Sequence, residues 1–229
     1  MVQKTVSRIS RTGKKPSQGK PVEPVPKRRG RPRSYDPDQA LARALDVFWQ
    51  AGFAATSLDQ LSAATGMNRP SLYGAFGDKR DLYIKAYNQY RLQARERMGD
   101  VFARDLPLRQ LLQRLYGIAL DMYLSGKDGP RGCFSVMTAT SEAISDPEIR
   151  DLVVNSIAEM DKAFARTLEA AQQRGELPAS ANIEALAQHA TATIHTIAVR
   201  ARAKVSRKEL EVIVAGAIEL ICGVANSAR

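Results

Sequence analysis

The chain has 229 residues, of which 44% are hydrophobic, and this length is enough to bury a sizeable core in one or two domains. No apolar run is long enough to span a bilayer, and no apolar segment follows the basic N-terminus, so we expect a soluble, cytoplasmic protein without a secretion signal. The two cysteines, Cys133 and Cys222, lie far apart, and His189 and His195 lie on different faces of a helix, so we expect no disulfide framework, metal site or cofactor.

Positive charge is concentrated at the N-terminus. Residues 1–35 contain eleven of the 34 basic residues and one of the 24 acidic residues, so this segment carries the whole net charge of +10. Residues 1–34 are also rich in Pro, Gly and Ser and poor in large apolar side chains, which predicts a disordered basic arm. Such an arm on a neutral globule is typical of polyanion-binding extensions, although a solubilising leader has the same composition.

From Asp36 onward, apolar residues recur at helical spacing, and no run of period two is long enough for a strand. The first helix ends at Gly52, and a short helix follows Asn68. The other predicted helices span 57–65, 79–99, 107–125, 132–144, 147–174, 182–203 and 206–224. The sequence therefore predicts an all-α fold of about nine helices.

The stretch "TGMNRPSLYGAFGDKRDL", residues 65–82, contains a very short turn between two apolar helical patterns. Ser57 and Gln60 have the spacing of a capping box for the first short helix, and Gly66 can end it in the left-handed conformation. Asn68 can cap the second helix, whose first turn contains Pro70. Two short helices joined in this way form a helix-turn-helix, whose second helix enters the major groove of DNA, although a surface helical hairpin has the same pattern.

The stretch "ALDVFWQAGFAATSLDQLSAATGMNRPSLYGAFGDKRDLY" resembles the DNA-binding domain of TetR/AcrR-type transcriptional regulators. The resemblance covers about residues 37–87 and implies a three-helix DNA-binding domain at 35–80 and a larger ligand-binding and dimerisation domain at 81–229. It implies a sequence-specific transcriptional regulator: a repressor that is released from its operator by a small effector.

The resemblance also implies roles for single residues. The candidates for phosphate contact are Ser57, Tyr73 and Lys79. The candidates for contact with base edges are Asn68, Arg69, Ser71 and Gly74. Arg69 has the donors to bridge O6 and N7 of a guanine, and Pro70 can touch a thymine methyl. Because the family often has a bulkier aromatic residue where this chain has Gly74, we expect a close backbone approach there.

The segment "KRRGRPR", residues 27–33, resembles an AT-hook core. An extended Arg-Gly-Arg is narrow enough for an A·T minor groove, whose negative potential attracts guanidinium groups. We therefore expect Arg29, Arg31 and Arg33 to contact DNA. An architectural A·T-tract-binding protein that uses only this arm remains an alternative function.

The last two predicted helices carry apolar stripes with many small residues. These residues are Leu186, Ala190, Ile194, Ile197, Leu210, Val214, Ala217, Ile218 and Ile221. Such helices can pack against their symmetry mates, and the resemblance implies a homodimer of this kind. A dimer places two helix-turn-helix units on the two half-sites of a palindromic double-stranded operator.

The middle helices contain the candidate lining of an effector pocket, because apolar cavities with a few polar groups suit small ligands. The candidates are Leu115, Tyr116, Ala119, Met122, Tyr123, Phe134, Met137, Met160 and Phe164, with Thr138, Ser141 and Glu142 as polar points. An ordinary core has the same composition at these positions.

The segment "RGCFSVMTATSEAISDPEIR", residues 131–150, is similar to a segment of TetR-like regulators, some of which sense electrophiles or oxidants through a cysteine. Cys133 lies at a predicted helix start beside Arg131, and both features lower a thiol pKa. A thiol-based sensor is therefore an alternative to a non-covalent effector, and a buried, inert cysteine is the third interpretation.

An enzyme is not expected. The sequence contains no nucleophile–base pair, no Gly-rich phosphate loop, no carboxylate cluster and no histidine beside a Ser or Cys motif.

Overall fold

The computed structural model describes residues 36–126 and 129–223, and the fold in these ranges is all-helical, as predicted. Its helices are α1 (Pro37–Ala51), α2 (Leu58–Thr65), α3 (Arg69–Phe76), α4 (Lys79–Phe102), α5 (Leu108–Leu124), α6 (Phe134–Ala139), α7 (Glu142–Ser145), α8 (Pro147–Gln173), α9 (Ile183–Arg202) and α10 (Arg207–Gly223). None of these helices combines the length and the apolarity needed to cross a membrane.

Helix α1 begins after Asp36, which caps it, and ends at Gly52 as predicted. The Asp36 carboxylate accepts a hydrogen bond of 2.9 Å from the Asp38 amide, and Gly52 ends the helix with a φ of 83°. Its buried face, which includes Phe48 and Trp49, packs against α2 and α4. This packing fixes the helix-turn-helix of α2 and α3 on the first turns of α4.

Helix α4 joins the N-terminal three helices to the rest of the chain. It has 24 residues and ends at Phe102, three residues beyond the predicted end, because Met98 and Val101 continue its buried face. The predicted division between residues 80 and 81 therefore lies in the first turn of a continuous helix. Helices α5, α8, α9 and α10 pack on one another as the larger bundle.

The predicted helix 132–144 is two helices, α6 and α7, which is why there are ten helical segments in the described ranges where nine were expected. Three hydroxyls near the break bond to carbonyls one turn back. Thr138 Oγ1 lies 2.8 Å from the Phe134 carbonyl, Thr140 Oγ1 lies 3.2 Å from that of Val136, and Ser141 Oγ lies 2.8 Å from that of Met137. Hydroxyls that bond in this way bend helices, which explains the interruption.

The apolar stripes predicted for dimerisation are nearly all buried within one chain. Ala190, Ile197, Leu210 and Ile221 have no exposed surface, because α9 and α10 pack against α5. A different stripe is exposed on each helix. The exposed stripes are Ala192, Thr196 and Val199 on α9 and Val212, Gly216 and Leu220 on α10. Nearly all of the predicted residues therefore belong to the core of the single chain.

Candidate nucleic-acid interface and internal cavity

The helix-turn-helix is stabilised at each of its helix ends. Ser57 caps α2 in a complete capping box with Gln60, with hydrogen bonds of 2.7 and 3.1 Å. Gly66 ends α2 in the left-handed conformation, with a φ of 71°. The Asn68 side chain then accepts a 2.9 Å hydrogen bond from the Ser71 amide at the start of α3. These three local predictions are confirmed.

Most residues predicted to contact bases are on the outer face of α3. Asn68, Arg69, Pro70 and Gly74 are exposed, and Ser71 is half-buried. Leu72 and Phe76 form the opposite, buried face. Tyr73, predicted to contact a phosphate, keeps 46% of its surface exposed although it is a large aromatic residue. The outer side of α3 is therefore open to the solvent, and its exposed polar side chains are those of Asn68, Arg69 and Tyr73.

Arg69 is held by Asp59 of α2. Its Nε and Nη2 atoms lie 3.1 and 2.7 Å from Asp59 Oδ1, so one edge of the guanidinium group is occupied. In the described part of the chain, Nη1 makes no hydrogen bond. Asp59 was not among the residues predicted to matter for DNA contact. It lies in the first turn of α2, where the helix dipole alone explains an acidic residue, and its partner Arg69 lies ten positions away.

Gly74 has no structural need to be glycine. A Cβ atom built at this position meets no atom within 4 Å, and its backbone is helical. Glycine inside a helix costs about 1 kcal/mol relative to alanine. The fold alone therefore does not explain this residue.

Lys79 is the first residue of α4, and its side chain is half-buried. Its Nζ lies 4.3 Å from the centre of the Phe53 ring, and burial lowers the pKa of the ammonium group while the Glu142 charge opposes this effect. The backbone amides at this helix start are partly occupied, because the Asp78 carboxylate accepts a 2.8 Å hydrogen bond from the Asp81 amide. The predicted contacts of Arg29, Arg31 and Arg33 lie outside the described residues.

A cavity of about 560 Å³ lies between α4 and α8, with walls from α5, α6 and α9. Three of the predicted pocket residues, Met122, Tyr123 and Met160, line it, and so does Cys133. Its volume is typical of small-ligand sites.

The other predicted pocket residues do not line this cavity. Tyr116, Phe134, Thr138 and Phe164 are buried in the surrounding core, Met137 is half-buried, and Ser141 is exposed. Tyr116 donates a 3.2 Å hydrogen bond to the Ala190 carbonyl, and Thr138 lies 2.7 Å from the Tyr83 hydroxyl. Phe134 is surrounded by four aromatic rings, those of Trp49, Tyr83, Tyr87 and Tyr90. Their contacts suit a packing role.

Cys133 is buried at the N-cap position of α6, and its Sγ lies 3.2 Å from the Tyr90 hydroxyl. Arg131, the predicted activating charge, instead forms a 2.5 Å ion pair with Asp46 and stacks at 4.1 Å on the Trp49 ring. The two residues therefore have separate partners in the structure.

The cavity is connected to α1 through Tyr90. The Tyr90 ring lines the cavity and contacts Trp49 edge-to-face, with 4.8 Å between ring centres. Trp49 Nε1 donates a 3.1 Å hydrogen bond to the Gly132 carbonyl, and Arg202 of α9 donates to the Trp49 carbonyl at 3.2 Å. Direct contacts therefore link the cavity wall to the end of α1.

A second connection holds the start of α4 to α8. Arg80 donates hydrogen bonds of 2.9 Å to Asp146 and 2.7 Å to Glu148. The hydrogen bond from Arg80 lowers the pKa of Asp146 to about 2, so this carboxylate is ionised at neutral pH.

Comparison with known proteins identifies the family. Residues 40–86 match the family model of bacterial regulatory proteins of the tetR family, and residues 108–216 match that of the tetracyclin repressor-like C-terminal domain. The HTH-type transcriptional repressor ComR of Escherichia coli (strain K12) is 30% identical over 188 residues, which are 81% of this chain and 89% of ComR. The HTH-type transcriptional repressor BdcR of the same organism is 34% identical over 55% of this chain and 61% of BdcR.

Solved structures of TetR family regulators are also similar to this chain. A cysteine mutant of the TetR family transcriptional regulator CifR, complexed with 26bp double-strand operator DNA, has a TM-score of 0.75 and 31% identity over 83% of this chain and 98% of CifR. Reduced NemR of E. coli, at 18% identity and a TM-score of 0.69, shares the fold. The chain therefore belongs to the TetR family of bacterial helix-turn-helix transcriptional regulators. It is a regulator and not an enzyme, as the sequence predicts.

Proposed function

We propose that this protein is a cytoplasmic repressor that binds a palindromic DNA operator as a homodimer and leaves it when an effector fills the cavity. The observation that carries the proposal is the exposed polar face of α3, with Arg69 oriented by Asp59. The relatives named as repressors and the CifR complex with operator DNA support it.

Arg69 is the residue best suited to read a base. Asp59 occupies the Nε edge of the guanidinium group, which leaves the Nη1 edge to face O6 and N7 of a guanine. The Asp59 carboxylate also repels DNA phosphates. Binding is therefore disfavoured at sites where no guanine contact with Arg69 compensates for this repulsion. Gly74 supports a close approach of the α3 backbone to DNA, because no contact within the fold requires a glycine at this position.

The exposed stripes of α9 and α10 support a homodimer. Val199, Val212 and Leu220 keep 55%, 68% and 63% of their surface exposed in the single chain. Thr196 lies one turn before Val199, and Gly216 lies midway between Val212 and Leu220. Both are small residues, which lets partner helices approach closely. A four-helix interface of α9 and α10 with their symmetry mates would bury both stripes.

Helix α4 is the part of the fold best placed to transmit effector binding. It begins beside α3 and lines the cavity with Tyr90, Met98 and Phe102. An effector that binds better to a second position of α4 shifts the equilibrium toward that position. The two recognition helices of the dimer then no longer fit major grooves about 34 Å apart.

Selection from random DNA, followed by footprinting of the full chain, tests this function. We expect a site with dyad symmetry, because two copies of α3 read two half-sites. A footprint restricted to A·T tracts without symmetry would instead support the architectural alternative.

We predict that Arg69→Ala relaxes base preference at one position of each half-site. The loss should be about 1–3 kcal/mol of discrimination at that position, because a bidentate guanine contact disappears. Competition binding with operators changed at single positions measures it, and Arg114→Ala, on the exposed face of α5, is the matched control. Uniform weakening across all bases would show that Arg69 contacts only phosphate.

A thiol-based release is a second candidate function, because Cys133 lines the cavity. We predict that alkylation of its Sγ by iodoacetamide, with loss of iodide, weakens operator binding and that Cys133→Ser abolishes this effect. Cys222→Ser is the matched control, since burial raises the pKa of that thiol and keeps it protonated. If iodoacetamide does not weaken operator binding by the unmutated protein, Cys133 is a packing residue.

A further inference from the structure

The cavity between α4 and α8 carries an excess of positive charge. Arg91 and Arg95 approach it from α4, and Lys162 and Arg166 approach it from α8. Glu159 is the one carboxylate among the lining residues, and it accepts hydrogen bonds of 2.9 Å from Arg91 and 2.6 Å from Arg95. One carboxylate therefore faces four cations.

The neighbouring groups do not cancel this excess. Burial lowers the pKa of His195 although the charge of Asp161 opposes the shift, so the imidazole is neutral at pH 7. Counting Asp161 as a second carboxylate still leaves two positive charges. In addition, Nε of Arg91 is buried without a hydrogen-bond partner in the described ranges, and a buried unpaired donor on a charged group is costly. A ligand acceptor would satisfy it.

Much of the remaining cavity wall is apolar, although the hydroxyl-bearing Tyr90, Ser135 and Ser156 also line it. Met98, Phe102, Met122, Met160 and Ile194 provide thioether, phenyl and aliphatic surface, and methionines adapt to different ligand shapes. We propose that the effector is an amphipathic organic anion, whose apolar body lies on this surface and whose acidic group binds the α4 and α8 cations. This inference rests on the proposed effector-released repressor and names the chemical class of its effector.

Three ligands with the same ten-carbon chain test the proposal on the full-length protein: decanoate, decan-1-ol and decylamine, each below its micelle-forming concentration. Calorimetry and the fluorescence of Trp49 report binding without DNA. Trp49 is the single tryptophan of the chain, and it contacts the cavity residue Tyr90. We expect decanoate to bind at least about tenfold more tightly than decan-1-ol, because its head group makes charge-assisted hydrogen bonds, and decylamine to bind most weakly.

Arg166→Gln should weaken decanoate binding several-fold and leave decan-1-ol binding unchanged, whereas Arg114→Gln, on the exposed face of α5, should change neither. Circular dichroism of each variant reports folding. Equal affinities for the alcohol and the carboxylate, no binding by any of the three ligands, or an unchanged decanoate affinity in Arg166→Gln would overturn the proposal. Operator binding is measured separately. If the protein binds its operator but not decanoate, the inference about the effector is wrong and the proposed DNA-binding function still stands.

Discussion

Deletion of residues 1–33 is expected to weaken operator binding strongly at low salt and to flatten its salt dependence. The deleted segment holds eleven basic residues and the whole net positive charge of the chain. Each phosphate contact that is lost removes about 0.9 from the slope of log K against log salt concentration, because one fewer counterion is released. Fluorescence anisotropy of labelled operator DNA over a series of salt concentrations measures affinity and slope together.

Two triple variants separate general attraction from minor-groove recognition. Arg29→Ala, Arg31→Ala and Arg33→Ala together should remove the preference for A·T flanks, because guanidinium groups favour a narrow minor groove. Arg8→Ala, Arg11→Ala and Lys14→Ala remove the same charge outside the Arg-Gly-Arg segment and should leave that preference intact. If the truncated protein binds every site as tightly as the full chain, the segment serves only solubility.

The helix-turn-helix could be predicted almost residue by residue because its signals are local. The capping pair Ser57 and Gln60, the left-handed Gly66 and the cap Asn68 each act within four positions of the chain. Their short range makes them independent of the rest of the fold. Leu72 and Phe76 lie four positions apart on the buried side of α3, and this spacing leaves the opposite side of the helix exposed.

The partners of charged residues could not be predicted in the same way. Arg69 binds Asp59 across a turn, and Arg80 binds Asp146 and Glu148 more than sixty positions away. Helical periodicity predicts which face of a helix is apolar, but it does not predict which residue a long charged side chain contacts. Asp59 therefore became a candidate only after the structure placed it beside Arg69.

The cavity and the proposed dimer face could not be predicted from the sequence for a related reason. An apolar residue on an inward helical face has the same sequence pattern whether it lines a cavity, as the half-buried Met160 does, or fills the core, as Phe164 does. On α9 and α10 the strongest apolar stripe proved to be core, because α5 packs against it. The exposed stripe was inconspicuous in the sequence because small residues such as Gly216 interrupt it.

Val212→Asp combined with Leu220→Asp is expected to convert the protein to a monomer. Both side chains are exposed on α10 of the single chain, and the proposed interface would bury the new carboxylates without partners, at high cost. A monomer engages one half-site at a time, so operator affinity should fall by about 10²- to 10⁴-fold as the advantage of the second half-site disappears. Sedimentation equilibrium gives the oligomeric state, and anisotropy with operator DNA gives the affinity.

Leu92→Asp is the matched control, because Leu92 is also an exposed leucine, at 53%, but lies on α4. It should leave the protein dimeric and operator binding unchanged. Circular dichroism should show the same helix content in all three proteins, since the substituted side chains are exposed in the single chain. A double variant that stays dimeric would place the interface on another face. A monomeric variant that binds the full operator as tightly as the unmutated protein would show that one copy of α3 is sufficient for recognition.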